Sequence, residues 1–501
     1  MPIPVHGFYA RKWIPVARVR GPRRMRHGSK ELERAKGGCR METTAAHDIV
    51  CAQRDFFGTG RTKDLDFRRE QLALLKRAIE GNVPGILKAL KEDMNKPAFE
   101  AYVAEVSQVT SGVDYTLKRL AWWARPKRVH TPAYLFLASS YVHPEPVGVA
   151  LIIGPWNYPM DLVIEPLTGA IAAGNCAVLK PSEIAPATSE VVAKIIRENF
   201  DPAFVTAVEG GPEETTALLG ERFDYIFYTG GSVVAKIIME AAAKNLTPVT
   251  LELGGKSPCI VEPEIDLDVA ARRITWGKYF NAGQTCIAPD YLLVNRRVKD
   301  DLLEGIKHYI VRFYGDDPKA SPDYSRIVSD RHFERVTRLM DEGDVVAGGQ
   351  SDAATRYIAP TVIDNVSLDH KVMQEEIFGP VLPVIAYDDL EKAIDIVRSR
   401  PKPLSLYVFT RDTMKQGRVL RETTSGGGCI NDVMVHYSNP RLPFGGVGMS
   451  GFGRYHGKFS FDTFSNMKSI VDRSFHFDIY LRYPPYKNAQ KLAQRFLRYI
   501  T

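Results

Sequence analysis

Hydrophobic and polar positions follow a strand period and a helix period in alternation along the middle of the chain. Helical patterns such as those over residues 188–200 and 233–243 separate short apolar runs rich in β-branched residues. Those runs lie at 149–153, 177–179, 204–208, 225–228 and 249–253. Alternation of this kind predicts a parallel sheet with helices covering both faces.

A second alternating region extends from residue 267 to about residue 436. It has helix patterns over 267–280 and 300–313, and strand patterns over 291–295 and 404–409. Ahead of both regions, apolar positions recur at helical spacing from residue 66 to 79 and again from 86 to 90. The pattern therefore predicts an α/β protein that opens with helices and contains two α/β units.

Two segments depart from this alternation. Residues 127–146 contain Tyr134, Phe136, Tyr141 and Val142, a pattern that predicts a hairpin inserted into the first unit. The tail from residue 488 to 501 has apolar residues every fourth position with basic residues between them, which predicts a basic amphipathic helix. Such a helix packs against a neighbouring subunit or lies on a membrane surface, and the first alternative is the commoner.

Positive charge is concentrated at the N-terminus. The net charge is +7, yet residues 1–40 hold eleven Lys/Arg against Glu31 and Glu33, which leaves 55 basic and 57 acidic residues elsewhere. We interpret residues 1–50 as a basic, disordered extension or the product of a start site upstream of Met41; organelle targeting is a less favoured alternative. A nearly neutral body argues against a nucleic-acid partner.

Cysteine spacing and hydropathy narrow the class further. The six cysteines form no Cys-x-x-Cys pair and have no histidines at zinc-site intervals, so we expect a reducing compartment and no metal. The longest apolar run, residues 147–153, is far shorter than a membrane span. We therefore expect a cytoplasmic protein that does not cross a bilayer.

The candidate chemistry centres on Cys286, in the stretch Asn281-Ala-Gly-Gln-Thr-Cys286. A thiol after a Gly-Gln turn is a candidate nucleophile, although an isolated cysteine is by default a buried apolar residue. Glu252 ends a predicted strand before a glycine pair, either as a base or as a strand-end cap. Asn157, between Pro155 and Pro159, is either an oxyanion donor or a turn residue. Together the three side chains suit acyl chemistry.

The chain resembles the aldehyde dehydrogenase superfamily, and Cys286-Ile-Ala-Pro-Asp-Tyr291 resembles its class 3 branch. The resemblance extends from about Arg61 to Pro485. Further matching segments follow in the family's order: Gly174-Asn-Cys-Ala-Val-Leu-Lys-Pro-Ser-Glu183, Phe227-Tyr-Thr-Gly-Gly-Ser232, Gln374-Glu-Glu-Ile-Phe-Gly-Pro380 and Leu442-Pro-Phe-Gly-Gly-Val-Gly-Met-Ser450.

The resemblance implies two α/β domains with parallel-sheet cores and a small β oligomerisation domain. Residues 51–126 and 147–252 would bind the nicotinamide cofactor, and 253–460 would be the catalytic domain. Residues 127–146 and 461–485 would form an oligomerisation hairpin and arm of a homodimer, followed by the tail at 486–501.

The implied activity is oxidation of an aldehyde to a carboxylic acid with NAD or NADP. Cys286 would form a thiohemiacetal and then a thioester, with Asn157 holding the oxyanion and Glu252 activating the hydrolytic water. Alternatives are an acylating dehydrogenase that uses coenzyme A, and a non-enzymatic binding protein on the same fold. Tyr158, Met160 and Ile287 would flank the substrate tunnel, which favours an apolar aldehyde.

The cofactor site lacks the usual Gly-x-Gly-x-x-Gly fingerprint. In its place the strand-to-helix turn Gly230-Gly-Ser-Val-Val-Ala235 could present backbone N–H groups to a pyrophosphate, although the family commonly has glycine where Ala235 stands. The implied contacts are Gly154, Pro155, Trp156, Lys180, Glu183, Gly230, Gly231, Ser232, Val233, Val234, Ala235, Leu253, Gly254, Glu376 and Phe378. Glu183 near the adenosine ribose would favour NAD.

Overall fold

The computed structural model describes residues 43–476, 478, 480–486 and 489–497. The chain begins with a group of helices: α1 (Thr43–Gly58), α2 (Leu65–Gly81), α3 (Val83–Met94), α4 (Ala98–Ala101), a π-helix (Tyr102–Ser107), α5 (Gln108–Leu117) and α6 (Leu120–Ala124). The Asp64 side chain caps α2 by accepting hydrogen bonds from the backbone N–H groups of Asp66 and Phe67. The helices predicted over 66–79 and 86–90 are confirmed.

The predicted extension ends at the wrong place, because residues 43–50 belong to α1. Ala46 and Val50 lie one turn apart on this helix, and both are buried in the core. The helix also carries Ile49, Phe56 and Phe57, which pack against the core, so residues 43–50 belong to the folded part of the chain. The prediction for residues 1–42 lies outside the described residues.

The first α/β unit contains a six-stranded sheet in the order β17-β7-β6-β3-β4-β5. Its strands are β3 (Val149–Ile153), β4 (Cys176–Lys180), β5 (Val205–Ala207), β6 (Tyr225–Thr229), β7 (Val249–Glu252) and β17 (Gly451–Phe452). The helices between them are α7 (Asp161–Ala173), α8 (Pro186–Asn199), α9 (Pro212–Gly220) and α10 (Ser232–Ala243). Strands β3 to β7 are parallel, as predicted.

The edge strand β17 corrects a domain boundary. Residues 451–452 fall within the predicted catalytic range 253–460, yet they pair antiparallel with β7 of the first sheet, with Gly451 opposite Glu252. A two-residue strand has too little pattern to be predicted from sequence. The first sheet is thus completed by a segment from the C-terminal part of the chain.

The second α/β unit contains a seven-stranded sheet in the order β10-β13-β14-β9-β8-β15-β16. Its strands are β8 (Pro258–Val261), β9 (Tyr291–Asn295), β10 (Asp344–Ala347), β13 (Thr361–Asp364), β14 (Val381–Tyr387), β15 (Ser405–Phe409) and β16 (Gly427–Ile430). A small pair, β11 (Ser351–Asp352) and β12 (Tyr357–Ile358), lies outside it. The helices are α11 (Leu267–Tyr279), α12 (Lys299–Tyr314), α13 (Asp330–Leu339), α14 (Lys371–Gln374), α15 (Leu390–Arg398) and α16 (Thr413–Glu422). The second unit is confirmed.

A separate antiparallel sheet, the arm, consists of β1 (Lys127–Val129), β2 (Ala138–Pro146) and β18 (Ser465–Arg473), which follows α17 (Lys458–Thr463). Strands from the two predicted segments 127–146 and 461–485 pair with each other in this sheet. Helix α18 (Ala489–Leu497) forms in the predicted tail. Within the described residues, every helix is too short or too polar to cross a membrane.

Candidate active site

The Cys286 loop follows α11 through a turn that hydrogen bonds to itself. Asn281 and Ala282 both adopt left-handed backbone conformations, with φ of +53° and +51°. Asn281 Nδ2 donates to the carbonyl of Gln284 (3.2 Å), and Gln284 Nε2 donates to the carbonyl of Asn281 (3.0 Å). Gln284 Oε1 in turn accepts the N–H of Val328 (3.0 Å). These buried bonds fix the turn that presents the thiol.

Asn157 reaches this loop from the end of β3. Its Nδ2 donates to the carbonyl of Gln284 (3.1 Å), and its own carbonyl accepts from Asn281 Nδ2 (3.1 Å). The next residue, Tyr158, shares a hydrogen bond between its hydroxyl and Thr285 Oγ1 (2.7 Å). The structure thus brings the predicted amide to the nucleophile loop, although the two segments are 127 positions apart in sequence.

Glu252 lies at the end of β7 and is 3 % exposed. Neither of its carboxyl oxygens accepts a hydrogen bond from the part of the chain that the structure describes. Burial raises the pKa of Glu252 well above its usual range, and the nearby Arg454 opposes the shift. The strand-end cap interpretation is therefore wrong for the side chain, since a cap would accept backbone N–H groups.

The thiol lies close enough to two carboxyl groups for their charges to act on it. Burial raises the pKa of Cys286 above its ordinary value, and the negative charges of Glu376 and Glu252 raise it further. In the free protein the thiol is consequently protonated at neutral pH. A nucleophilic role requires that a base remove this proton.

Glu376 lies against the glycine pair that follows Glu252. A Cβ built on Gly254 would be 2.0 Å from Glu376 Oε2, so any side chain at position 254 would displace the carboxyl group. Burial raises the pKa of Glu376 to about 8, and a hydrogen bond from the Gly255 backbone opposes the shift. Leu253 is buried and donates its N–H to the carbonyl of Ser450 (3.2 Å).

An aromatic pocket joins two predicted cofactor residues. The Trp156 ring packs edge-on against Phe378, with ring centroids 5.2 Å apart. It also contacts the His332 ring, with ring centroids 4.9 Å apart. His332 Nδ1 is buried and has no hydrogen-bond partner among the described residues. His332 was not among the predicted site residues, because a lone histidine at the start of α13 carries no pattern. Pro155 and Gly154 lead into this pocket from β3.

The predicted pyrophosphate turn connects β6 to α10. Gly231 is the N-cap residue, and no side chain caps the helix. A Cβ built on Gly231 would meet no atom within 4 Å, so open space lies beside the free N–H groups. Such a helix N-terminus suits a phosphate group. Ala235 is 2 % exposed and packs in the core, whereas Ser232 is half-buried and Val233 and Val234 remain exposed.

Lys180 and Glu183 form a pair beside that turn. Lys180 is buried, and its Nζ donates to the carbonyl of Pro181 (2.8 Å) and lies 3.5 Å from Glu183 Oε2. Burial lowers the pKa of Lys180. The Glu183 side chain is 44 % exposed. Of this pair, only the carboxylate is open to an approaching ribose.

One part of the substrate prediction is corrected. Met160 has no exposed surface, and Tyr158 and Ile287 are 8 % and 4 % exposed. Met160 therefore packs in the core and does not line a tunnel. Its apolar character reflects packing of the first turn of α7.

A dinucleotide beside the Cys286 thiol would fit the N-terminus of α10, the rings of Trp156 and Phe378, and the buried carboxyl groups. This combination defines the class of protein as a thiol-dependent nicotinamide oxidoreductase. The model of the aldehyde dehydrogenase family matches residues 37–470. The chain belongs to the aldehyde dehydrogenase family, and its activity is NAD(P)-dependent oxidation of an aldehyde. The match begins well before Arg61, where the sequence resemblance was thought to begin.

Similar proteins agree on this assignment. The 4,4'-diaponeurosporen-aldehyde dehydrogenase of Staphylococcus aureus is 48 % identical over 445 residues, 88 % of this chain and 97 % of that protein. The dimeric NADP-preferring aldehyde dehydrogenase of Mus musculus is 48 % identical, over 87 % and 97 %. Aldehyde dehydrogenase family 3 member A2 of Rattus norvegicus is 47 % identical, over 88 % and 92 %.

A solved structure gives the same result for the fold. The substrate-bound state of Staphylococcus aureus AldH superimposes with a TM-score of 0.88 at 47 % identity, over 90 % of this chain and 99 % of that one. The predicted fold class and the class 3 resemblance are both confirmed.

Proposed function

We propose that Cys286 is the nucleophile, that Glu252 is the general base and that Asn157, with the backbone N–H of Cys286, stabilises the oxyanion. One observation carries the proposal. Thiol, carboxyl and amide come from three distant segments, yet Asn157 bonds to the Cys286 loop at Gln284 and the charge of Glu252 acts on the thiol.

The reaction then follows from these groups. The Cys286 sulfur bonds to the aldehyde carbon, the thiol proton passes to a solvent water molecule, and the carbonyl oxygen carries the negative charge that the Asn157 amide stabilises. A nicotinamide held in this site would supply the two-electron oxidant, so that loss of a hydride from the former aldehyde carbon would leave a thioester on Cys286. Glu252 takes a proton from water, whose oxygen bonds to the thioester carbon while the carbon–sulfur bond breaks.

Hydrolysis is favoured over transfer to coenzyme A. A carboxyl that is buried beside the thiol, with a raised pKa and no hydrogen bond to hold it, is suited to accept a proton from water. An acylating enzyme would have no use for such a base. The alternative of a non-enzymatic protein conflicts with the retention of all three groups.

Replacing Cys286 with Ala tests the assignment. We expect C286A to lose aldehyde oxidation by at least about 10⁴-fold while it binds NAD with unchanged affinity, because the nucleophile is removed and the cofactor contacts are not. The matched control is C51A, which removes an exposed thiol from α1. Wild-type turnover in C286A would refute the proposed nucleophile.

We also propose that the substrate is an apolar aldehyde. The α4 region carries Phe99 and Tyr102, which are 75 % and 47 % exposed, and Glu100 between them accepts the N–H of Asn281 (3.0 Å). Exposed aromatic surface therefore lies next to the nucleophile loop. The name of the Staphylococcus aureus relative, which refers to diaponeurosporen-aldehyde, supports the same substrate class.

A substrate panel tests this proposal. We expect kcat/KM to rise with chain length along a series of saturated aliphatic aldehydes, and to be low for the polar aldehyde glyceraldehyde. The variant F99S should flatten that rise. Equal efficiency across the series would contradict an apolar binding surface.

For the cofactor we propose a preference for NAD with some use of NADP. The half-exposed Glu183 carboxylate can accept a hydrogen bond from a ribose 2′-hydroxyl and would repel a 2′-phosphate. Lys180 cannot fully offset that repulsion, because its ammonium is buried and bonded to Pro181. The Mus musculus relative is named NADP-preferring, so this preference would separate the two proteins.

The variant E183Q measures the preference directly. We expect it to raise the ratio of kcat/KM for NADP over NAD by roughly tenfold, through the KM of the cofactor. The control is E190Q, which changes an exposed carboxylate on α8. An unchanged ratio in E183Q would mean that Glu183 does not face the ribose.

Finally, we propose a homodimer assembled through the arm. Strand β18 carries Met467 and Val471, which are 40 % and 54 % exposed, and it pairs with β2 in the antiparallel sheet of the arm. The double variant M467K/V471K should shift the mass in light scattering from dimer to monomer. An unchanged mass would place the interface elsewhere.

The tail is proposed to pack on the partner subunit, because the apolar side chain of Leu492 on α18 is 56 % exposed. Truncation after Tyr486 should weaken dimerisation in light scattering without changing kcat. If truncation instead abolishes co-sedimentation with liposomes, the tail contacts membranes. If neither dimerisation nor liposome co-sedimentation changes, both proposed roles are excluded.

A further inference from the structure

A buried ion pair lies directly behind the Asn157 turn. Lys96 follows α3 and Glu105 lies in the π-helix, and neither side chain has any exposed surface. Lys96 Nζ and Glu105 Oε1 are 2.5 Å apart. Fully buried lysine and glutamate are rare in proteins and are found where their charges are paired.

Lys96 makes its contacts on the residues that carry the proposed oxyanion donor. Its Nζ donates to the carbonyl of Asn157 (2.9 Å) and lies 4.3 Å from the centre of the Tyr158 ring. The ammonium group thus meets a carboxylate, a carbonyl and an aromatic face. The same Asn157 carbonyl accepts the Asn281 amide of the nucleophile loop.

Glu105 fixes the other end of the turn. Its Oε2 accepts the backbone N–H groups of Met160 (3.0 Å) and Asp161 (3.2 Å) at the start of α7. A carboxylate at a helix N-terminus is favourable because it meets unpaired N–H groups and the positive end of the helix dipole. Residues 157–161 are therefore held at both ends by one ion pair.

We propose that Lys96 and Glu105 are positioning residues for the Asn157 amide. By holding the Asn157 carbonyl and the start of α7, they set where the side-chain amide points when charge develops on the aldehyde oxygen. This inference rests on the proposed role of Asn157. A displacement of about 1 Å in such a donor is enough to slow a reaction strongly.

A purely structural role explains the pair less well. Well-packed apolar residues of similar volume stabilise a core as much as a buried ion pair does, without the cost of desolvating two charges. An ion pair adds direction, since each ammonium proton and each carboxylate oxygen has a defined partner. Here all the recorded backbone partners lie within residues 157–161.

The experiment compares Lys96→Met with a matched control, Lys299→Met. Lys299 also pairs with a carboxylate at 2.5 Å, that of Asp364, but at the start of α12, away from the Asn157 turn. Both substitutions remove one ammonium and keep a chain of similar length. The milder variant E105Q keeps the shape of the partner in case K96M fails to fold.

Single-turnover kinetics provide the main measurement. We expect the burst rate of NADH formation, expressed per folded active site, to fall roughly 10- to 100-fold in K96M and roughly 3- to 10-fold in E105Q. The KM for NAD should change by less than about twofold, and K299M should keep the wild-type burst rate. Alkylation of Cys286 by iodoacetamide, followed by peptide mass spectrometry, should stay within about threefold of wild type, because it needs no oxyanion donor.

Other outcomes overturn the inference. A wild-type burst rate per folded site in K96M and E105Q would show that the pair only stabilises the fold, and so would equal losses in K96M and K299M. A parallel loss of burst rate and Cys286 alkylation would show that the pair acts on the thiol. The variant N157A separates the role of Asn157 from the positioning role of the ion pair. A normal burst rate in N157A refutes the role of Asn157. A slow burst in N157A together with a normal burst in K96M refutes only the positioning role.

Discussion

Asn157 and Glu252, the two groups proposed to act with Cys286, differ in how many hydrogen bonds hold them. Asn157 uses both its amide nitrogen and its carbonyl in hydrogen bonds, and the Lys96–Glu105 ion pair holds its carbonyl. Glu252 is buried to a similar degree, yet its carboxyl oxygens accept no hydrogen bond from the described residues. The contrast separates a fixed group from one that is free to turn.

The difference matches what each role requires. An oxyanion donor works best when its dipole already points to where charge develops, so hydrogen bonds that fix it accelerate the reaction. A base that serves water must instead change its protonation state, and hydrogen bonds to the carboxylate would lower its pKa and its basicity. A Cβ built on Gly445 would lie 2.9 Å from Glu252 Oε1, so the glycine at position 445 leaves room beside the carboxyl.

Among the variants that test this comparison, the largest expected effect comes from Glu252→Gln. We expect the burst of NADH to survive at close to its wild-type rate while the steady-state rate falls roughly 10²- to 10⁴-fold, because an amide cannot take the proton of the hydrolytic water. Stopped-flow absorbance measures both phases. Loss of the burst itself would place Glu252 in activation of the thiol, where its charge already acts.

Asn157→Ala should produce the opposite pattern. We expect the burst rate to fall roughly 10²- to 10³-fold, the cost typical of removing one oxyanion donor, and the thioester to accumulate little. Asn157→Asp is an informative companion, since it keeps the size and reverses the electrostatics. If N157A and E252Q gave the same kinetic pattern, the proposed division of roles would be wrong.

The parts of this site with local patterns were predicted from the sequence. Apolar runs bounded by helical periods predicted β3 to β7 because buried parallel strands are continuous hydrophobic segments. Cys286 was predicted from its place after a Gly-Gln turn, and Glu252 from its place at a strand end before a glycine pair. The same reasoning could not show that Gly451 lies opposite Glu252, since that pairing joins residues about 200 positions apart.

The supporting residues were missed for a related reason. Lys96, Glu105 and Arg454 read as surface residues in a sequence, because charged side chains are exposed in most proteins. The partners of Lys96 lie 9 and 61 positions away in the sequence. Arg454 acts on Glu252, which belongs to a distant segment of the chain. Only the folded chain shows that these charges are directed inward, toward Asn157 and Glu252.

The pH dependence sharpens the comparison. Burial raises the pKa of Glu252, so the carboxyl carries its proton at pH values where an exposed glutamate would be ionised. The protonated form cannot act as a base. We therefore expect kcat to rise with pH in a range above the one in which an exposed glutamate titrates, measured in the wild-type enzyme at saturating NAD and aldehyde.

The control for that profile is E252Q, whose residual kcat should lack this rise. The burst rate of N157A should keep the pH dependence of the wild-type burst, because an amide does not titrate in this range. A wild-type kcat that fell with pH would mean that the form required for turnover is the protonated one.

The smallest expected effect concerns Arg454, whose charge acts on Glu252. Its guanidinium donates to the carbonyls of Gly446 (2.5 Å) and Gly453 (2.8 Å), and its positive charge opposes the upward shift in the pKa of Glu252. Removing the charge in Arg454→Met should raise that pKa further. The rise of kcat with pH should then move to higher pH, so that kcat at neutral pH falls by a few fold while the plateau at high pH is restored.

The variant R441M changes an exposed arginine on the same loop region and should leave the profile unchanged. A loss of kcat in R454M that persisted at every pH would show that Arg454 holds the backbone of residues 446–453 and does not act through the proton equilibrium of Glu252.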